Sequence, residues 1–418
     1  MNTGLRYRMA LALVLSIVTS IYIMGQTYVK KPKSVAFTKI KLLDKYISEG
    51  ASVGDINKDG HMDIVAGNLY WKGPSFKNVA AYGPVGYSPI TGPGLEGYAD
   101  NFFTFPLRID ENDWMDILQI GIPGTDSKWV RDPGKIPFSL SDSIPDVVHI
   151  GAIRHVCHES PQMVNIIGDE NKELLAFSQG KLVLGVPIAQ GNREWELLSI
   201  SEKDENRFPV FSHGLGAGDI NGDGLTDVLE KTGWWQQPVN WDRTTPWEYH
   251  PVAFSHGTGG AQMFAYDIDG DGDTDVITAM DSHGYGLSWF EQIKIGQEIG
   301  FKEHKIMTHD PMDNTYGVSF SQLHAMSKAD IDGDGIPDIV TGKCYYAHNG
   351  RDPGAEEPAA LYWFRTRRNK NGTTELVPYK IDDDSGVGRQ ITTADLNKDG
   401  KIDLVTANKK GVFAFIQK

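Results

Sequence analysis

Nine residues constrain this chain more than any others. Asp267–Asp275 reads D-I-D-G-D-G-D-T-D and runs directly into Val276-Ile277. Carboxylates occupy its first, third, fifth and ninth positions (Asp267, Asp269, Asp271, Asp275), and Gly272 sits at the sixth. Side-chain oxygens at alternate positions of a tight loop converge on a hard cation, and the glycine allows the sharp turn between them. Without a counter-ion these carboxylates would repel one another, so the loop predicts bound Ca2+. An EF-hand would carry a glutamate at the twelfth position and a helix on each side. Here the twelfth residue is Thr278, and the flanks have strand character. The loop is therefore expected to join two strands of a sheet.

The pattern recurs, and its spacing predicts the architecture. Close copies offer Asp55, Asn57, Asp59 and Asp63; Asp219, Asn221, Asp223 and Asp227; Asp330, Asp332, Asp334 and Asp338; and Asp395, Asn397, Asp399 and Asp403. With Asp267–Asp275 they predict about five structural Ca2+ sites. Two worn copies fill the long gaps. Arg108–Asp116 keeps Asp110, Asn112 and Asp116; Asn165–Glu173 keeps Asn165, Asp169 and Glu173, and whether either holds metal is open. The apolar frame is intact throughout, with Ile56, Ile109, Ile166, Ile220, Ile268, Ile331 and Leu396 at the second position. Seven units at intervals of 48–65 residues predict an all-β chain, a seven-bladed β-propeller. These units resemble the FG-GAP/VCBS repeats of bacterial secreted proteins and integrin-type propellers, over roughly residues 36–418. The resemblance implies structural Ca2+ in the loops.

Residues 1–26 place Arg6 and Arg8 before an apolar run from Met9 to Met24, the pattern of a signal peptide or, uncleaved, an N-terminal anchor. Residues 27–35 read as a linker. Export to the periplasm or the extracellular space is the expectation, and weak calcium sites would fill there. The formal charge of −15 lies largely in the acidic loops, and no basic block points to nucleic acid. Cys157 and Cys344 fall in different units and predict two thiols rather than a disulfide. A monomer is expected.

Ala36–Leu43 reads as a strand, and the last unit ends one strand short, so the N-terminal strand is expected to close the ring. Aromatics in the third strands, among them Trp71, Trp235, Trp289 and Trp363, suit packing between blades, with sugar stacking as the alternative. Gly- and Pro-rich insertions at Gly121–Pro137 and Tyr345–Ala360 should overhang one face.

In such blades the acidic loops share one side, and the lead-in and second-to-third connections share the other. Six residues ahead of each acidic loop stand Glu49, Phe102, Glu159, His213, Ala261, His324 and Arg389. His158 and His256 lie in the same lead-ins, and Asp281, His283, Lys343, His348 and Lys409 in the second-to-third connections. Around a funnel, several histidines suit acid–base work near neutral pH. The candidate catalytic set is His213, His324, His256, His158, Arg389, Lys343 and Glu49. A metal held by His213, His324 and Glu49 or Glu159 is a further possibility, although no HExxH-type spacing supports it.

Two functions fit. One is a carbohydrate enzyme at the mouth opposite the acidic loops, a lyase or dehydratase on a uronic or keto sugar. Arg389 or Lys343 would stabilise an enolate and a histidine or tyrosine would carry the proton. The other is a non-catalytic platform that docks a protein or glycan on the same face.

Overall fold

The computed structural model describes residues 35–82, 97–109, 112–130, 149–169, 171–187, 195–296 and 298–418. The leader expected at 1–26, the linker through residue 34 and Asp110 of the second acidic loop lie outside them. Among the described residues there is no α-helix, and none long and apolar enough to cross a membrane.

The second strand of each meander explains the fold. Asp275–Ala279 (DVITA) and Asp338–Gly342 (DIVTG) are buried along their whole length. Such strands are rich in β-branched residues and have a neighbouring sheet on each face, so they read as apolar runs rather than as alternation. The third-strand tryptophans Trp71, Trp235, Trp289 and Trp363 are likewise buried. Trp235 packs with Leu175 and Leu184 of the preceding sheet, and Trp289 with Ile339 and Phe364 of the following one. Their role is packing between sheets.

The spacing predicted seven separate blades, and the hydrogen bonding corrects it. There are five separate four-stranded blades and one eight-stranded sheet. The separate blades begin at Ser52–Gly54, Phe103–Leu107, Gln162–Val164, Met326–Ala329 and Ile391–Ala394. In the eight-stranded sheet, the meander starting at Leu215–Gly218 is joined to the one starting at Gln262–Tyr266. Residues Leu215, Gly216 and Ala217 pair in parallel with Gln262, Met263 and Phe264. Glycine is the reason. A Cβ on Gly216 would stand 2.4 Å from the Met263 carbonyl oxygen, and one on Gly218 would stand 2.5 Å from Ala265 Cβ. Without those side chains the two backbones approach to pairing distance, and two meanders become one sheet. At the chain's start, Phe37–Leu43 pairs antiparallel with Gly411–Gln417, as the outer strand of the last blade.

The expected calcium loops are corrected too. Their ninth-position carboxylates, Asp63, Asp227, Asp275, Asp338 and Asp403, are all buried. One oxygen of each accepts the amide of the second loop residue, at 2.9–3.0 Å from Ile56, Ile220, Ile268, Ile331 and Leu396. The other accepts an amide from the far end of the third strand or just past it, at 2.8–2.9 Å from Gly73, Gln237, Gln292, Thr366 and Gln417. First-position carboxylates such as Asp219 and Asp330 accept amides inside their own loops. These acids staple the turn to the sheet through backbone amides, so at the ninth position they serve the fold. Among the described residues, carboxylates gather closely enough to share an ion in two loops only, as Asp267/Asp269/Asp271 and Asp330/Asp332/Asp338. In the second of these, Arg365 already reaches Asp332 at 2.7 Å and Asp334 at 2.9 Å.

The first strands line a central cavity of about 740 Å³. Arg108, Asn171 and Lys172 face it on the acidic-loop side, and Gln162, Gln262 and Gln390 at the other end.

Candidate functional site

The lead-in segments meet at the glutamine end of this cavity. Gly50 bridges Gln390, and His158 bridges Ser212, both in parallel. Gln262 Nε2 donates to the Arg389 carbonyl at 3.2 Å, tying the cavity wall to the layer beyond.

At the centre of that layer lies Arg389, 2% exposed. Its Nη1 donates to Glu49 Oε2 at 2.8 Å and to Cys344 Sγ at 3.0 Å, and its Nε donates to Glu159 Oε2 at 3.1 Å. Tyr46 donates its hydroxyl to the other Glu49 oxygen. Burial pushes the Glu49 carboxyl above its usual range, against the pull of Arg389 and Lys409. Burial also pushes the Cys344 thiol up to about 12, so it stays protonated. A planar guanidinium holding two carboxylates fixes three lead-ins in one geometry.

Beside it stand three histidines. The ring centroids of His213, His283 and His324 are 5.0, 5.2 and 5.3 Å apart, with planes inclined at 76–84°. His213 and His324 are buried. Burial, and then neighbouring positive charge from residues that include Arg389, hold both imidazoles well below the ordinary histidine value. They are therefore neutral at pH 7. His324 Nδ1 lies 3.2 Å from the Gln322 carbonyl, and His283 Nδ1 lies 3.2 Å from Asp352 Oδ2. Glu159 Oε1 is 3.8 Å from His213 Nε2.

The insertion expected at Tyr345–Ala360 does overhang this face. His348 stacks on His283 with centroids 4.3 Å apart, and its Nδ1 lies 3.0 Å from the second oxygen of Asp352. Lys343 holds the insertion down: its Nζ donates to Ser321 Oγ at 2.9 Å and to the Gly354 carbonyl. The His348 amide donates to the Tyr98 hydroxyl at 3.0 Å. Around that contact lie the half-buried rings of Tyr98, Tyr345 and Tyr346. Lys409 Nζ is 4.8 Å from the Tyr98 ring, and Lys410 Nζ is 4.7 Å from that of Tyr345.

The structure thus brings together Glu49, His213, His324 and Arg389 from the candidate set. Arg389 and Lys343 both have protein partners. His158 is buried edge-on against Phe177, 4.4 Å between centroids, and takes the Ser160 amide on Nδ1. His256 is exposed and outside the group. In the metal set considered from sequence, His283 stands where Glu49 or Glu159 was expected, since Arg389 engages both acids. Asp352, Tyr98, Tyr346 and Gln322 were not identified from sequence. Asp352 and Tyr346 do sit in the Gly-rich insertion, which was the only available signal.

The FG-GAP-like repeat family matches residues 330–406. The chain therefore carries an FG-GAP repeat within a propeller-like fold. A search of curated proteins finds no match. Among solved structures, one is an Agrocybe aegerita lectin described for recognition of non-reducing terminal N-acetylglucosamine. It is 13% identical, with a TM-score of 0.43, over 92% of this chain and 86% of that one. Rhamnogalacturonan lyase YesW is 13% identical, with a TM-score of 0.41, over 92% and 74%. Virginiamycin B lyase from Staphylococcus aureus is 11% identical, with a TM-score of 0.43, over 92% and 99%.

Proposed function

We propose that this chain is an exported binding platform whose overhung face takes a carbohydrate. The observation that carries this reading is the rim. Half-buried tyrosine faces (Tyr98, Tyr345, Tyr346) lie beside Lys409, His348 and Asp352, over a floor of charged groups already fixed by one another. Aromatic faces stack on the apolar side of a sugar ring, while cations, imidazoles and carboxylates pair with its hydroxyls. Binding without chemistry suits the floor best, because Arg389, Lys343 and Glu49 are all engaged by protein partners. A lyase or dehydratase is the second reading, favoured by the neutral, buried His213 and His324.

A glycan panel that includes uronate-containing chains, read by calorimetry, tests both readings. Tyr98→Ala or Tyr346→Ala should each weaken the best ligand about tenfold, roughly 1.4 kcal/mol. Mass spectrometry of the same mixtures separates the readings: unsaturated products absent with His213→Gln establish elimination. Failure of any glycan to bind would remove the carbohydrate assignment.

We also infer that Asp267, Asp269 and Asp271 take Ca2+, since an oxygen-only donor set selects a hard ion. Adding Ca2+ to chelator-treated protein should raise its melting temperature. In an Asp269→Asn variant the rise should disappear, and an undiminished rise there would reject the assignment.

A further inference from the structure

We propose that His213, His283 and His324 form a three-histidine site for a zinc-type transition-metal ion, distinct from the acidic loops. The inference rests on the same face as the carbohydrate reading but not on the ligand being a sugar. One ring nitrogen from each of the three lies within 4.8 Å of the other two. Imidazoles on a tetrahedral ion have their ligating nitrogens about 3.4 Å apart, so small side-chain rotations close the set.

Hydrogen bonding says which nitrogens are available. The Gln322 carbonyl takes the Nδ1 proton of His324, and Asp352 takes that of His283. Each contact fixes the tautomer that leaves the lone pair on Nε2. A carbonyl behind one histidine and a carboxylate behind another are what metal-ligating imidazoles ordinarily have at their outer nitrogen. His324 Nε2 and both nitrogens of His213 are buried with no hydrogen-bond partner. Buried polar atoms of this kind require an explanation. With one ring nitrogen from each of three histidines this close together, an acceptor of electron pairs between the rings would give His213 and His324 a partner for one of these nitrogens. A divalent ion held by one nitrogen of each ring supplies that acceptor, with Glu159 placing negative charge beside His213.

The donor type selects the ion. Three nitrogens suit Zn2+, Co2+ or Cu2+ rather than Ca2+ or Mg2+. Three protein ligands leave a fourth position open, where a hydroxyl or carbonyl oxygen of the bound ligand could be held and polarised. Access runs past His283, whose side chain is 22% exposed, beneath His348.

Cobalt is the probe, because its visible spectrum reports geometry. Chelator-treated full-length protein titrated with Co2+ should take one equivalent with the intense absorption of a four- or five-coordinate nitrogen site. Zn2+ should displace it, and excess Ca2+ should not. His213→Gln and His324→Gln should each weaken binding by more than about 100-fold, beyond the range of outer-shell changes, and Asp352→Asn by about 10- to 100-fold. If a histidine variant fails to fold, the wild-type spectrum and Asp352→Asn decide the question. A weak six-coordinate spectrum, loss of cobalt to excess Ca2+, or unchanged binding in Asp352→Asn and the histidine variants would each overturn the site. Glycan binding that persists in metal-free protein without cobalt uptake ends this inference and leaves the carbohydrate reading intact. Cobalt uptake with no glycan binding does the reverse.

Discussion

Replacing Arg389 with methionine is expected to destabilise the chain by about 3–5 kcal/mol, because it leaves two carboxylates buried without their cation. Methionine approximates the volume of the arginine stem, so packing changes little. What disappears is the 2.8 Å contact to Glu49 and the 3.1 Å contact to Glu159. Burial already raises the Glu49 pKa above 4.5, and Arg389 works against that rise. In the variant it climbs further. The sign follows from proton counting. Between 4.5 and the raised value, the folded state holds more protons than the unfolded one, so stability falls as pH rises through that window and recovers as pH drops toward 4.5. The deficit of Arg389→Met should therefore shrink on acidification, as read from urea unfolding between pH 5 and 8. A Glu49→Gln/Glu159→Gln/Arg389→Met triple variant should recover most of the loss. A pH-independent deficit would mean that packing, not charge, is at stake. A single variant within about 1 kcal/mol of the parent, the range of an exposed pair, would remove Arg389 as the centre of this layer.

That centre was partly legible in the sequence, and the reason lies in register. Each acidic loop follows its lead-in at a fixed distance, so Glu49, Glu159, His213, His324 and Arg389 could be placed on one face without any contact information. The apolar frame was legible for the same reason: Ile56, Ile166, Ile268 and Leu396 are all buried, as a strict repeat requires. Three things were not. The merging of two meanders depends on Gly216 and Gly218 lying opposite Met263 and Ala265, a contact between units that no single repeat reveals. The ninth-position aspartates look like metal ligands because a buried carboxylate that accepts two amides and one that binds an ion obey the same spacing. Asp352 lies in an insertion with no counterpart elsewhere in the chain. Periodicity is silent there, yet this residue joins His283 to His348.

Deleting Phe37–Leu43 should have the largest effect of all. Six residues of this strand stand in register with Gly411–Gln417, and Ile40, Leu42 and Leu43 pack on the cluster that contains Val412 and Ala414. Lys39 reaches Asp382 of the preceding blade at 2.7 Å. With a net contribution near 1 kcal/mol per ladder hydrogen bond plus the apolar contacts, the loss is about 5 kcal/mol or more, comparable with the stability of an entire ordinary domain. It would also leave G-V-F-A-F-I-Q as an unpaired edge, a short apolar β-segment of the kind that recruits other chains. The deleted protein should melt without cooperativity and elute as aggregates from a sizing column. A synthetic peptide spanning residues 35–44 should restore both a sharp transition and the monomer volume, because the missing strand belongs to the last blade through backbone pairing rather than through its connection to Asp44. Should the deleted chain stay monomeric and melt within a few degrees of the parent, the last blade would be stable with three strands. The N-terminal strand would then be a cover for that edge, not a structural member.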